Sequence, residues 1–216
     1  DTAQIIKSHA KDKLLLVVSA MGKTTNALEK VAGSFFEAKS EEALALFQQV
    51  KDQHRNTLKF LTVTHALKGE NQLKDFFTEV EWLLYDKPVR NFDFYYDQVV
   101  CSGELMSTAI LYHYLLELGV KIAWVDVRDI IRTDNNFRDA GVDWKFTGAA
   151  IQDKILPLFE QYDVVLTQGF IGATYENEST TLGREGSDYT AAIFANLMDA
   201  ESVTIWKDVE SVMNAD

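Results

Sequence analysis

An α/β fold with a mainly parallel central sheet is predicted by three observations. Short β-branched runs alternate with helical patterns along the chain. Those runs are apolar throughout, as strands covered on both faces are. One segment, 34–96, breaks the alternation with helical pattern alone. The strand runs are 14–19, 121–125, 164–167 and 203–206. The best helical pattern is 102–118, which ends at Gly119, a normal helix stop. Another covers 148–162, with Pro157 as its kink or break. Inside 34–96, residues 41–64 and 71–85 read as two long helices, and Lys87-Pro88 then ends the pattern. This segment is expected to be a helical insertion packed on the α/β body, with Lys51, Asp52 and Arg55 on a solvated face. The aromatic run Phe92-Asp93-Phe94-Tyr95-Tyr96 is expected to pack where insertion meets body.

The 216 residues are 47% apolar and 25% charged, the composition of a folded protein with a sizeable core. A net charge of -12 argues against nucleic acid as a partner, which needs a basic face. It leaves small anionic ligands open, because they feel only the local field. The single cysteine, Cys101, allows no disulfide or cysteine metal site within the chain and fits a reducing compartment. No uninterrupted apolar run reaches membrane-spanning length and no signal peptide opens the chain. A cytoplasmic protein without a membrane partner is expected.

The richest stretch is Thr180-Thr181-Leu182-Gly183-Arg184-Glu185-Gly186-Ser187-Asp188-Tyr189-Thr190, followed by an apolar helical run to Met198. Ser187 or Asp188 can cap that helix. Its positive end and Arg184, a planar bidentate donor, suit a carboxylate or phosphate. Met21-Gly22-Lys23-Thr24-Thr25 has the look of a phosphate loop but fails its spacing, because the glycine required five residues before Gly22 is Val17. The ends of the first and third strand runs, at Ser19 and at Gln168-Gly169-Phe170-Ile171-Gly172, can converge with the Arg184 loop on one crevice, since ligands of open α/β sheets sit beyond the carboxyl ends of the strands. Glu104 has two readings: a first-turn carboxylate in a helix capped by Ser102, or a ligand for a substrate ammonium. Trp206-Lys207-Asp208 closes the last strand run, and its Lys207 and Asp208 can meet a nucleotide or face solvent. The four histidines show no metal spacing, and Cys101 has no base beside it in sequence.

Together these segments resemble aspartokinase, in the amino-acid kinase superfamily. The resemblance rests on Val17-Val18-Ser19-Ala20-Met21-Gly22 with Thr25-Asn26, on Ser102-Gly103-Glu104-Leu105-Met106-Ser107-Thr108, on Gln168 to Gly172, on Thr181 to Tyr189, and on Trp206-Lys207-Asp208-Val209, in order through nearly the whole chain. It implies a three-layer α/β/α sandwich and transfer of the ATP γ-phosphoryl group to the side-chain carboxylate of L-aspartate, the entry to lysine, threonine and methionine biosynthesis. It further implies that Arg184 holds the α-carboxylate and Glu104 the α-ammonium. Ser19, Thr25, Ser187 and Phe170 complete the amino-acid site. Asp188 orients the lysine between the reacting groups, and Gly169, Lys207 and Asp208 meet the nucleotide. Mg²⁺ shared with ATP oxygens, rather than a protein metal site, and a homo-oligomeric full-length protein are expected from the same resemblance.

Three departures accompany it. The family's opening Lys-Phe-Gly-Gly segment is not in the chain, which starts at Asp1, and the chain stops at Asp216, before further nucleotide-binding sequence and the ACT regulatory domains. An incomplete catalytic domain over 1–216 is therefore expected. The family also favours glycine where Glu185 stands, and Glu185 is expected to point away from the anion that Arg184 holds. The competing readings are a kinase of glutamate or acetylglutamate type, and an anion-binding fragment without the transfer lysine.

Overall fold

The computed structural model describes residues 2–9 and 13–206. Helix α1 (Thr2–His9) precedes strand β1 (Leu14–Val18). Helices α2 (Thr24–Phe36), α3 (Ser40–Leu61), α4 (Ala66–Leu84) and α5 (Phe92–Glu117) follow. Then come β2 (Ile122–Trp124), α6 (Trp144–Ala150), β3 (Val164–Gln168), β4 (Ile171–Ala173), β5 (Ser179–Thr181) and α7 (Gly186–Met198).

β1, β3 and β2 form a parallel sheet in that order, in register from Leu14 opposite Val164 to Val18 opposite Gln168, and from Ile122 opposite Val164. The period of two splits β3 between two apolar clusters. Val165 joins one with Ile151, Ile155, Ile193 and Phe194. Val164 and Leu166 join the other, with Ala3, Ile6, Leu115 and Ile122. Helices thus cover both faces, which is why β3 lacks polar alternation in the sequence. The predicted α/β class is borne out. β4 and β5 add an antiparallel hairpin that the sequence did not announce, because each strand has only three residues.

The helical segment follows helical periodicity. Ala43, Phe47, Val50, His54 and Leu58 line one face of α3, and Leu73, Phe76, Phe77, Val80 and Leu84 one face of α4. Both pack with α2 and α5 into the large cluster shared with the sheet. The aromatic run opens α5, with Phe92 edge-on to Phe36 and Tyr95 edge-on to Phe35.

Three expectations need correction. The long helix does not start at Ser102. It is capped at Asn91, whose Oδ1 accepts from the Phe94 N–H at 3.1 Å, and Ser102 lies buried mid-helix, donating to the Val99 carbonyl. α5 is apolar all round because it is a core helix. Among the described residues it alone is long and apolar enough to cross a bilayer by composition, with 78% of that window buried inside the protein. Reading by uninterrupted runs passes over it because Asp97 and Glu104 break the run. The second correction concerns 203–206, which form no strand. Val203, Ile205 and Trp206 are exposed, and no described strand pairs with them. The third is the 148–162 helix. α6 starts earlier, capped by Asp143, passes into a wide turn at Ile151–Ile155 and tightens at Leu156–Glu160, where Pro157 supplies no N–H.

Candidate active site

Parallel pairing of β1 with β3 sets their carboxyl ends side by side, and the Gly169 N–H donates to the Val18 carbonyl at 3.0 Å. The chain leaves β1 through Ser19 and leaves β3 through Gly169 and Phe170, so both enter one crevice, as strand ends of an open sheet do. The β4–β5 hairpin carries the chain back to Gly183, where φ is +77°, and on into α7. A β-carbon at Gly169 would lie 2.7 Å from Ser187 Cβ, and one at Gly186 would lie 2.5 Å from the Phe170 ring. Two glycines therefore let the start of α7 sit directly on the end of β3.

A cleft of about 690 Å³ opens there, lined by Ser19, Thr25, Glu104, Phe170, Arg184, Ser187 and Asp188. Seven of the ten predicted site residues thus meet in one place. Gly169 lies beneath Ser187 rather than in the cleft wall. Lys207 and Asp208 lie outside the described residues, as does Val209.

Glu104 is the floor. It is 2% exposed and two turns into the buried part of α5, not in a first turn near the helix dipole's positive end. Its Oε1 accepts from the Ala20 N–H at 3.3 Å, whereas Oε2 is buried with no hydrogen-bond partner among the described residues. Burial pushes its carboxyl up to about 8, opposed by that Ala20 N–H. A buried carboxylate oxygen facing a cleft without a donor is costly unless a cation arrives.

The opposite wall is the α7 entrance. Ser19 Oγ donates to Ser187 Oγ at 2.8 Å, and Ser107 Oγ, one turn beyond Glu104, donates to the Ser19 carbonyl at 2.8 Å. Phe170 is held at φ +72° by its N–H to Thr190 Oγ1 at 3.0 Å, an unusual conformation for an aromatic residue. The cap position of α7 is Glu185, so Ser187 and Asp188 stand in the first turn rather than capping it. Arg184 is exposed at the rim, where a ligand carboxylate can reach it. Glu185 also lines the cleft, at φ +58° with no side-chain capping bond. The αL conformation accounts for a glycine preference at this position. Glu185→Gly is expected to stabilise the protein by about 1 kcal/mol, read as a higher urea midpoint at unchanged slope.

Tyr96, Arg138, Thr181 and Trp206 line the cleft as well, without having been assigned a role. Behind them Asp97 is fully buried. It accepts from the Thr181 N–H and Oγ1 and from the Arg138 N–H, at 2.8–2.9 Å. Burial pushes its carboxyl up to about 6, opposed by those donors. One signal for it was available: Asp97 and Glu104, seven apart in an apolar helix, share a face. Among the described residues no group of three or more His, Cys, Asp or Glu side chains could hold a metal.

The sequence matches the amino acid kinase family over residues 1–216, and the chain belongs to that family. Within it, the chain is 32% identical to lysine-sensitive aspartokinase 3 of Escherichia coli (strain K12), matching 100% of this chain and 46% of that protein. It is 28% identical to the chloroplastic bifunctional aspartokinase/homoserine dehydrogenase 1 of Zea mays, of which it covers 24%. The chain thus spans less than half the length of these relatives. The crystal structure of E. coli aspartokinase III in complex with lysine and aspartate superposes with a TM-score of 0.83 at 31% identity, over 96% of this chain and 45% of that one. The same enzyme in complex with aspartate and ADP gives 0.82.

Proposed function

We propose that this chain forms the amino-acid-binding part of an aspartate kinase catalytic domain, with residues 34–96 as a helical insertion. The observation that carries this reading is the buried Glu104 Oε2, which has no donor among the described residues, in a cleft whose rim bears Arg184. A carboxylate floor and a guanidinium rim read the two charges of an α-amino acid and leave its side chain free. An N-acetylated substrate has no ammonium to offer Glu104. The complexes of E. coli aspartokinase III with aspartate and with ADP support the same substrates here.

Arg184 receives the α-carboxylate bidentately and Glu104 the α-ammonium. The hydroxyls of Ser19, Thr25 and Ser187 supply hydrogen bonds, and the Phe170 ring closes an apolar wall. A side-chain carboxylate oxygen of aspartate then attacks the ATP γ-phosphorus. The new O–P bond forms as the bond to the bridging oxygen breaks, and ADP departs. Such transfer depends on positioning and charge stabilisation more than on covalent help. Asp188, in the first turn of α7, orients the cationic group at the transfer point, and Lys207 and Asp208 serve the nucleotide. A Mg²⁺ ion accompanying ATP would supply charge neutralisation at the phosphates, and no metal site on the protein is part of this proposal. A homo-oligomeric, cytoplasmic full-length protein belongs to the same proposal.

In the full-length protein, Arg184→Ala is expected to raise the aspartate KM about a hundredfold and the ATP KM less than about twofold, the loss of a charge-assisted bidentate pair. A coupled ADP-release assay over aspartate, glutamate and acetylglutamate checks this. Equal losses toward both substrates would make the loop a structural joint, and no turnover of aspartate would sink the reading.

A further inference from the structure

The cleft holds a second guanidinium, that of Arg138. Its turn packs against the Arg184 loop: a β-carbon on Gly183 would lie 2.6 Å from Asp139 Oδ1 and 3.4 Å from the Arg138 carbonyl. Arg138 sits at φ +69°, a conformation that residues with a β-carbon avoid and keep only where the surroundings over-determine it. Here they do, because buried Asp97 fastens the Arg138 N–H and both donors of Thr181, another cleft residue.

The side chain is oriented but loosely held. Its guanidinium carbon lies 4.4 Å from the centre of the Tyr96 ring, which keeps it along the cleft wall. Nη1 donates to Asp93 Oδ1 at 3.2 Å, and both side chains of that pair are about half exposed. Exposed pairs of this kind contribute little, so a ligand carboxylate can compete with Asp93. Glu185, one residue from Arg184, lines the same cleft, and a second cation would offset a carboxylate turned toward it.

We propose that Arg138 is a second carboxylate-binding residue of the cleft. It exchanges Asp93 for the carboxylate of the amino-acid substrate and closes on it with Arg184 from the other side of Gly183. This assignment rests on the proposed amino-acid site and adds to it a residue outside the motifs that carry the family resemblance.

Two variants of opposite sign test it in the full-length protein, by aspartate titration in a calorimeter and by steady-state kinetics. Arg138→Gly suits the backbone angle and keeps the N–H bond to Asp97, so it should fold. It is expected to weaken aspartate binding about tenfold and to change the ATP KM less than about twofold. Asp93→Asn removes the competitor and is expected to tighten aspartate binding by about two- to fivefold. A wild-type protein that binds and phosphorylates aspartate, with Arg138→Gly unchanged in Kd and KM, overturns the Arg138 assignment alone. Binding without turnover, with the tenfold loss in Arg138→Gly, sinks the kinase reading and keeps the assignment. A wild-type protein that does not bind aspartate overturns both.

Discussion

Glu104→Gln is expected to raise the aspartate KM about a hundredfold while making the unliganded protein more stable. The first effect follows from removing the charge proposed to meet the substrate ammonium in a buried site, where charge-assisted hydrogen bonds contribute about 1.5–3 kcal/mol. The second follows from burial. The Glu104 carboxyl is pushed up to about 8, so between the ordinary carboxylate range and pH 8 the folded protein keeps a proton that the unfolded chain has lost. Its raised value therefore makes a contribution that is complete below about pH 4.5 and declines as pH rises toward 8, by about 1.4 kcal/mol per unit. Glutamine removes that decline. Asp97 acts in the same direction over a lower window, between the ordinary aspartate range and about 6. Substrate binding shows the opposite pH dependence. The ammonium needs the ionised carboxylate, so the wild-type aspartate KM should fall about tenfold per unit from pH 6 toward 8. Kinetics and thermal melts across pH 5.5–8.5 check both. A wild-type KM that is flat with pH, or a Glu104→Gln variant that keeps the slope, would remove Glu104 from the ammonium site.

Gly169→Ala should abolish most activity from beneath the cleft, without touching any substrate. The added methyl would lie 2.7 Å from Ser187 Cβ and 2.9 Å from Ser187 Cα, and the second of these is backbone. No rotamer change relieves it, so the first turn of α7 must move off β3. That turn carries Ser187 and Asp188 and follows directly on Arg184. A displacement of about 1 Å in such a constellation costs on the order of a hundredfold in kcat/KM. Overpacking should also cost about 1–3 kcal/mol of stability. Gly148→Ala in α6 is the control. Its methyl would meet only Leu197 Cδ2, at 3.5 Å, an ordinary contact. Equal losses in the two variants would show that the effect is general destabilisation rather than displacement of α7.

The parts of this fold written in local pattern were legible, and the parts set by distant contacts were not. Three of the four strand runs stand in the sheet because their apolar continuity reflects burial on both faces. The fourth, 203–206, has the same composition but no described neighbour to pair with, and strand propensity without a partner specifies little. Ser102 looked like a cap because serine before an apolar run usually is one, yet Asn91, eleven residues earlier, holds that place. The Arg184 loop and Glu104 were legible because their residue types and order matched a known pattern. Arg138 was not, because its place in the cleft comes from a contact between α5 and the turn before Gly141, which no local spacing encodes, and Asp97 left only its seven-residue spacing from Glu104 as a signal.

The hydrogen bond from Ser19 to Ser187 joins residues 168 apart in the chain. Contacts of such sequence separation carry the largest loop-closure cost and form slowly, whereas the pairs among α2, α3, α4 and α5 are nearly consecutive. The order of assembly is thereby biased: the helical segment can gather early, and the cleft can close only when the end of β1 meets the start of α7. A ligand bridging Ser19 and Ser187 would act as a clasp on the loop between them, so occupancy of the cleft would stabilise the helices and strands that this loop encloses.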